Sequence, residues 1–148
     1  MARFTLDEVV QATGGRLVYD VPDRTFSQAE TDTRAISQGA LFVALKGERF
    51  NGHDYVLRAR EQGALGAVVS EDRPEYTVPG FAVFLVANTE TAYQDLARFH
   101  RRRFAIPIVA VTGSVGKTST RSIIAAVLSQ RYHVLQTEKN FNNEIGLP

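Results

Sequence analysis

The sequence predicts an α/β fold in two parts: a small mixed α/β domain over residues 1–104, then the first βαβ portion of a second, incomplete domain over residues 105–148. Three observations predict it. Short apolar runs typical of strands alternate with segments of helical apolar spacing. The segment Ala105–Pro107 is the best domain boundary, because the basic run His100–Arg103 ends before it and its proline precedes a new strand. Directly after it, an apolar run ends in a glycine-containing turn that opens a helix.

A short helix is expected at the start of the chain. Thr5 and Glu8 have the spacing of a capping box, in which each side chain accepts a hydrogen bond from the other residue's backbone N–H group. Gly14 suits the end of this helix. Two short strands are expected next, over residues 16–19 and 25–31, and both are candidates for the edges of a sheet.

Three apolar runs are expected to form the core of that sheet, and two helices accompany them. The expected strands are LFVAL at 41–45, GAVVS at 66–70 and the run at 81–86. The expected helices run from Asp54 to Gln62 and from Asn88 or Thr89 to Arg102. Asp54 is expected to be the N-cap of the first helix, because a short carboxylate at that position accepts the free backbone N–H groups.

Residues 105–148 are expected to form a strand, a helix and a second strand. The strands are placed at 108–111 and 133–137, and the helix between them has apolar residues at Ile123, Ile124, Val127 and Leu128. A parallel sheet of this class needs several βαβ units to cover both of its faces. We therefore expect the sequence to be the N-terminal piece of a longer enzyme.

The turn between the first expected strand and its helix has the chemistry of a phosphate-binding loop. Gly113 and Gly116 allow the backbone to curl until successive N–H groups point inward. The helix beginning near Lys117 adds its free N–H groups and the positive end of its dipole. Lys117 would reach the β- and γ-phosphates of a nucleoside triphosphate, and the hydroxyl of Thr118 suits a magnesium ion. The candidate binding residues are Thr112, Gly113, Ser114, Val115, Gly116, Lys117, Thr118 and Ser119.

Only the shorter G-x-x-G-K-T core of the phosphate-loop pattern is present. The full pattern requires a glycine five positions before Gly116, and Val111 stands there. The alternative is an ordinary strand-to-helix turn, in which the glycines relieve strain and Lys117 is simply solvated. The placement of the turn between a strand and a helix favours phosphate binding.

Polar residues also follow other expected strands, where a ligand of an open α/β sheet binds. They are Asp32, Thr33 and Arg34, the loop Lys46–Tyr55, and the asparagines at 140, 142 and 143. For the asparagines, the alternative is that they are simply good turn residues.

Composition excludes several classes of function. Seventeen basic and sixteen acidic residues give a net charge of +1, which removes the electrostatic case for a dedicated nucleic-acid binder. The absence of cysteine excludes disulfides, thiolate metal sites and cysteine nucleophiles. No apolar segment approaches the roughly 18 residues that span a bilayer, and no export signal is recognised at the N-terminus, so a cytoplasmic location is expected.

Four segments resemble the Mur ligase family, and the resemblance extends over the whole chain. They are TDTR at 31–34, GALFVALKGERFNGHDY at 39–55, VTGSVGKTST at 111–120 and NFNNEIGLP at 140–148. The resemblance implies a domain that holds a UDP-muramoyl peptide, a central P-loop ATPase domain and a C-terminal Rossmann-like domain. This chain would contain the first domain and the start of the second.

The resemblance also implies an ATP-dependent, amide-bond-forming ligase of peptidoglycan precursor synthesis. ATP would phosphorylate the terminal carboxylate of UDP-N-acetylmuramoyl-tripeptide, and the amine of D-alanyl-D-alanine would attack the acyl phosphate. ATP and Mg²⁺ are the implied cofactors. A monomer with no nucleic-acid partner and no membrane insertion is expected, and the chain alone is expected to be inactive.

Site residues are carried over by matching the family's motifs. Gly113–Gly116 would cradle the ATP phosphates, Lys117 would be catalytic through their neutralisation, and Thr118 would bind the metal. The residues that match the motifs for the UDP moiety are Thr33, Arg34, Lys46, Gly47, Arg49 and His53, and those for the muropeptide are Asn142 and Asn143. Asn51 stands where many relatives have aspartate, so a contact made by that carboxylate is not carried over to this chain.

Two other functions remain open from the sequence. Folylpolyglutamate-type ligases share the phosphate loop, but they generally lack a substrate domain like residues 1–104. A non-catalytic module that holds a UDP-sugar is the alternative from a different class. Binding of the sugar nucleotide without binding of Mg-ATP would distinguish this module from a ligase.

Overall fold

The structure is a computed structural model that describes residues 3–19, 21–47 and 50–137. The chain divides into two compact units, Met1–Arg103 (unit 1) and Phe104–Pro148 (unit 2). Each unit is built around its own secondary structure.

Unit 1 contains seven short strands and three helices within its described residues. The strands are β1 (Phe4–Thr5), β2 (Arg16–Leu17), β3 (Thr25–Phe26), β4 (Ala29–Glu30), β5 (Leu41–Val43), β6 (Gly66–Val69) and β7 (Ala82–Leu85). The helices are α1 (Leu6–Thr13), α2 (Val56–Glu61) and α3 (Thr89–Arg102).

Five of these strands form one mixed sheet, in the order β2-β7-β6-β5-β4. The strands β4 to β7 are parallel, and β2 pairs antiparallel with β7 at one edge. Gly66 of β6 lies between Leu41 and Ala82 of its neighbours, which fixes the register at the centre. Because β4, β5 and β6 are parallel, their carboxyl ends lie at the same end of the sheet, and the segments that follow them start there.

Alternate residues of the central strands pack on opposite faces of the sheet, as the two-residue period of a strand requires. On one face, Val68 and Phe84 belong to a core cluster that includes Val9 of α1 and Leu96 of α3. On the other face, Ala67, Val69 and Val83 belong to a second cluster with Val56 and Ala59 of α2. The core strands are therefore covered on both sides, as their continuous apolar composition predicts.

The expected N-termini of the helices in unit 1 are confirmed for α1 and α3 and wrong for α2. Thr5 and Glu8 form the capping box of α1, and Asn88 caps α3 by accepting the N–H of Thr91 at 2.9 Å. Asp54 is not an N-cap. Asn51 instead caps a 3-10 turn over Gly52–Tyr55, and α2 begins only after that turn.

Unit 2 contains one regular element within its described residues, the helix α4 (Lys117–Leu128). The strands expected at 108–111 and 133–137 are wrong for the structure described, where neither segment joins a sheet. A strand is defined by its hydrogen bonds to a neighbouring strand, and apolar sequence alone does not supply them. Accordingly, Ile108 and Val109 are more than half exposed, as are Ile123 and Val127 on α4.

Candidate functional site

A cavity of about 360 Å³ lies in unit 1 beside the turn that follows β4. The turn itself, one residue of β5, one residue of α2 and two residues of the loop before α2 contribute to it. The lining residues are Thr31, Asp32, Thr33, Arg34, Phe42, Phe50, Tyr55 and Arg58. Two of the residues expected to bind a ligand, Thr33 and Arg34, are therefore brought together in one cavity with a second arginine.

Carboxylates shape the turn that carries Arg34. The Oε1 atom of Glu30 accepts the backbone N–H groups of Thr31 and Asp32 at 2.9 and 3.2 Å. Asp32 then caps a 3-10 turn over Thr33–Ala35 by accepting the N–H of Arg34 at 2.9 Å. These bonds hold the backbone of the turn and leave the Arg34 side chain 84% exposed.

Asp32 also pairs with the guanidinium of Arg34. The Nη2 atom of Arg34 lies 2.6 Å from Oδ2 of Asp32, and its Nε atom lies 3.0 Å from Oδ1. The side-chain hydrogen bonds from Arg34 lower the pKa of Asp32 to about 2. Arg34 is thus a solvent-facing cation with a fixed anchor, a geometry suited to a phosphate or carboxylate group.

Aromatic side chains form the apolar part of the cavity. Phe50 and Tyr55 stack with their ring centroids 5.0 Å apart and their planes at 25°. Phe42 is buried, whereas Phe50 is 49% exposed. A cavity with an exposed aromatic face and two arginines can hold a planar ring and an anionic group together.

In the segment Lys46–Tyr55, here called the 46–55 loop, the described residues on its two sides meet at Lys46 and Asn51, which form its neck. Lys46 and Asn51 face each other in an antiparallel bridge, and the N–H of Gly47 donates to the carbonyl of Phe50 at 2.8 Å. Gly52 is buried, and a Cβ atom there would lie 2.6 Å from the carbonyl oxygen of Leu45. The position therefore requires glycine for close approach of two backbone segments.

His53, within this loop, is buried, with 1% of its surface exposed. Its Nε2 atom accepts the backbone N–H of Ser70 at 2.9 Å, so the ring proton lies on Nδ1, which bonds Oδ1 of Asn51 at 2.7 Å. Burial lowers the pKa of His53 and favours this neutral form. Because both ring nitrogens are engaged, the geometry favours a supporting role for His53 over the expected direct contact with a ligand.

Charged residues after β6 support the same loop, and the sequence reasoning missed them. Glu71 accepts from Arg73 at 2.6 Å and from Lys46 at 3.2 Å, which together lower the pKa of Glu71 to about 2. The bond to Glu71 raises the pKa of Arg73. The sequence did offer a signal for Glu71 and Arg73, because both follow a core strand closely. Polar residues at the carboxyl end of a strand in an open α/β sheet lie near the region where ligands bind.

Tyr76 attaches the 46–55 loop to the core. Its hydroxyl donates to the backbone carbonyl of His53 at 2.7 Å, and burial raises the pKa of Tyr76 to about 12. The side chain is almost fully buried in the second core cluster. The 46–55 loop is therefore fixed to the core through both the ring and the backbone of His53.

In unit 2, the expected phosphate loop is curled. Gly113 and Gly116 have φ angles of 150° and 79°, in the region that favours glycine, and α4 begins directly after Gly116. The Nζ atom of Lys117 lies 2.6 Å from the carbonyl oxygen of Gly113. No side chain caps the first turn of α4, and Thr118 there is exposed. The free N–H groups of this turn are thus available to an anion.

Three expected site residues, Arg49, Asn142 and Asn143, lie outside the described residues. Over residues 3–19, 21–47 and 50–137, no group of three or more acidic or histidine side chains could hold a metal ion. Within the same ranges, no helix has the length and apolarity of a membrane span.

Two family models match the chain. The model described as "Mur ligase family, catalytic domain" matches residues 25–103, and the model described as "Mur ligase middle domain" matches residues 111–148. The first match includes the cavity and the 46–55 loop, and the second includes the phosphate loop.

The chain is also similar to curated proteins named UDP-N-acetylmuramoyl-tripeptide–D-alanyl-D-alanine ligase. It is 52% identical to that of Synechocystis sp. over 119 residues, which cover 80% of this chain and 26% of the relative. It is 41% identical to that of Bacillus subtilis over 150 residues, which cover 100% of this chain and 32% of the relative. The chain thus spans about a third or less of the length of these relatives.

Solved structures resemble the fold. A crystal structure of MurF from Acinetobacter baumannii superposes with a TM-score of 0.89 at 32% identity, over 98% of this chain and 32% of that one. The structure of MurF ligase from Thermotoga maritima in complex with ADP superposes with a TM-score of 0.72 at 32% identity, over 81% of this chain and 27% of that one. Both sequence and fold therefore point to the same group of proteins.

Proposed function

The chain belongs to the Mur ligase family, and from this premise we propose that it forms part of an ATP-dependent ligase that adds D-alanyl-D-alanine to UDP-N-acetylmuramoyl-tripeptide in peptidoglycan precursor synthesis. The names of the relatives support this choice of substrates. Residues 1–104 would bind the sugar nucleotide, and residues 105–148 would begin the ATP-binding domain.

The curled loop at the start of α4 is the observation that carries the ATP-dependent part of this proposal. Two glycines with positive φ angles lie in this segment, the first turn of α4 has no side-chain cap, and the Lys117 ammonium bonds back to the carbonyl of Gly113. Such a segment stabilises the polyphosphate of a nucleotide through hydrogen bonds, the helix dipole and a mobile positive charge. The similarity to a ligase solved with ADP supports the same ligand class.

The proposed reaction activates a carboxylate before an amine attacks it. The terminal carboxylate oxygen of the tripeptide bonds to the γ-phosphorus of ATP, and the bond to the β-phosphate oxygen breaks to release ADP. The amine of D-alanyl-D-alanine then forms the amide bond, and inorganic phosphate leaves. Lys117 would offset the negative charge that builds up on the transferred phosphoryl group.

A magnesium ion fits the donor set of the phosphate loop. The exposed hydroxyl of Thr118 lies in the first turn of α4, next to the segment proposed for the phosphates. When bound, the metal would supply positive charge to the β- and γ-phosphate oxygens. Thr118 would supply one oxygen ligand and orient the ion.

The cavity of unit 1 is the proposed site of the sugar nucleotide. Arg34 and Arg58 supply positive charge, and Phe50 and Tyr55 supply an aromatic surface, within a single cavity of about 360 Å³. A UDP group combines a planar ring with a diphosphate, and this lining is complementary to both parts. Lys46 and Gly47, exposed at the neck of the 46–55 loop, would extend the anionic side of the site.

Calorimetry with two ligands tests the proposal. We expect the chain to bind UDP-N-acetylmuramoyl-tripeptide, and the full-length ligase that contains it to bind Mg-ATP as well and to form the amide product. Absence of sugar-nucleotide binding would refute the role of unit 1. If the full-length protein binds the sugar nucleotide but neither binds nor hydrolyses ATP, the non-catalytic binding module is the correct reading.

A further inference from the structure

One carboxylate joins the two sides of the neck of the 46–55 loop. Lys46 and Asn51 face each other across this neck, and both side chains reach the same oxygen of Glu71. The Nζ atom of Lys46 lies 3.2 Å from Oε1 of Glu71, and the Nδ2 atom of Asn51 lies 3.3 Å from it. Glu71 follows β6, so it ties the neck of the loop to the central strand of the sheet.

The second oxygen of Glu71 is held by Arg73. The Nη2 and Nε atoms of Arg73 lie 2.6 and 3.1 Å from Oε2, and its Nη1 atom lies 2.9 Å from Oδ1 of Asp54. Asp54 belongs to the 3-10 turn at the far end of the loop. The carboxylate of Glu71 accepts two hydrogen bonds at each oxygen, which fixes its position between the loop and the strand.

The same contacts connect Glu71 to the buried ring of His53. Asn51 donates to Glu71 through Nδ2 and accepts from the Nδ1 atom of His53 through Oδ1 at 2.7 Å. This fixes the amide orientation of Asn51. An aspartate at this position would offer no donor to Glu71 and would place a second negative charge beside it, so the asparagine is matched to its neighbour.

We propose that Glu71 is a positioning residue for the sugar-nucleotide site, which holds Lys46 and the neck of the 46–55 loop in the conformation that binds the anionic substrate. The inference rests on the proposed function of unit 1. Lys46 keeps 64% of its side chain exposed while bonded to Glu71, so its ammonium can also face a ligand. Phe50, on the same loop, lines the cavity with Arg34. Glu71 itself would not contact the substrate.

Calorimetry with UDP-N-acetylmuramoyl-tripeptide tests this role. Glu71→Gln keeps the shape of the side chain but removes its charge, and charge-assisted hydrogen bonds are about twice as strong as neutral ones. We expect the Kd of the chain for this ligand to rise about tenfold. The matched control is Glu75→Gln, an exposed glutamate in the next turn, which should leave the Kd unchanged.

A double-mutant cycle separates positioning from a general loss of structure. If Glu71 acts through Lys46, the combined Lys46→Ala and Glu71→Gln variant should bind with a loss smaller than the product of the two single losses. Fully multiplicative losses would show that the two residues act independently, and would overturn the proposed link.

Amide hydrogen exchange supplies a readout that does not depend on the ligand. In Glu71→Gln, the N–H groups of Gly47 and Gly52, which bond within the loop neck, should exchange faster, whereas that of Val68 in β6 should not change. Unchanged exchange at both glycines together with an unchanged Kd would refute the inference. If the unaltered chain does not bind the sugar nucleotide, the proposed function fails, and the exchange measurement still decides whether Glu71 holds the loop.

Discussion

The ammonium of Lys117 lies 2.6 Å from the carbonyl oxygen of Gly113, four residues earlier in the same loop. The side chain thus folds back along the loop where the phosphates of ATP are proposed to bind. Because Lys117 would offset charge on the transferred phosphoryl group, Lys117→Ala should reduce kcat for ligation by the full-length enzyme at least about a hundredfold. Steady-state phosphate release measures this change.

The control for Lys117→Ala is Arg131→Ala, which removes a positive charge just beyond the other end of α4. It should retain near-normal turnover. Calorimetry with the sugar nucleotide should give the same Kd for both variants, since unit 1 is unaltered. Normal turnover in Lys117→Ala would exclude the proposed role of this lysine.

Arg34→Ala should affect binding more than chemistry. The exposed guanidinium is fixed by Asp32 at the edge of the cavity, so its loss removes a cation that is present in both the ground state and the transition state. We expect the KM for the sugar nucleotide to rise about tenfold with kcat unchanged. Arg60→Ala, an exposed arginine on α2 outside the cavity lining, is the matched control. A fall in kcat at constant KM would contradict this assignment.

The stability of unit 1 should fall as the pH decreases below neutrality. Burial lowers the pKa of His53, so the unfolded chain takes up a proton near pH 6.5 whereas the folded unit does so only at lower pH. Between these two pKa values the unfolded state binds more protons, and acidification favours it. Below the folded-state pKa of His53, the reduction in the free energy of unfolding that this residue causes is complete.

Urea denaturation followed by the NMR signals of β6 measures this pH dependence. His53→Gln should reduce the slope between pH 7.5 and about 5 but not remove it, because burial also lowers the pKa of His100. The control variant is His133→Gln, which replaces an exposed histidine of unit 2 and leaves unit 1 unaltered. An unaltered slope in His53→Gln would show that the buried ring does not titrate as described.

Gly52→Ala should destabilise unit 1 through backbone crowding. The added Cβ atom would lie 2.6 Å from the carbonyl oxygen and 2.8 Å from the nitrogen of Leu45, and both are backbone atoms that cannot rotate away as the end of a flexible side chain can. We expect a loss of about 2 kcal/mol in the free energy of unfolding, measured by urea denaturation. Gly47→Ala is the control, because the nearest atom to its added Cβ lies 3.9 Å away. Equal stabilities would contradict the steric argument.

Local patterns predicted most of unit 1 because their determinants are close in sequence. The capping box of α1 and the Asn88 cap of α3 depend on bonds across three residues. Asp54 was misplaced because Asn51, three residues earlier, caps a 3-10 turn first, and Asp54 then pairs with the distant Arg73. Long-range ion pairs of this kind leave no periodic signal in a sequence.

The two candidate sites differ in how far the sequence predicted them. The curl around Gly116 follows from glycine's access to positive φ, whereas the strands expected beside it need hydrogen-bonding neighbours that the described residues of unit 2 do not supply. In unit 1, Arg34 was predicted as a ligand-binding residue and lies in the cavity, whereas Phe50, Arg58 and Glu71 were not predicted. These three residues come from separate loops and helices. Only the parallel pairing of the strands brings them to the same end of the sheet, and that pairing cannot be deduced from local sequence.

Both outer strands of the five-stranded sheet are only two residues long. A sheet edge of this length offers few unpaired backbone donors and acceptors, so a second polypeptide in extended form has almost nothing to align with. The apolar central strands are thereby protected from cross-β association between copies of the protein. The short length of β2 and β4 therefore reduces the risk of aggregation, and longer outer strands would increase it.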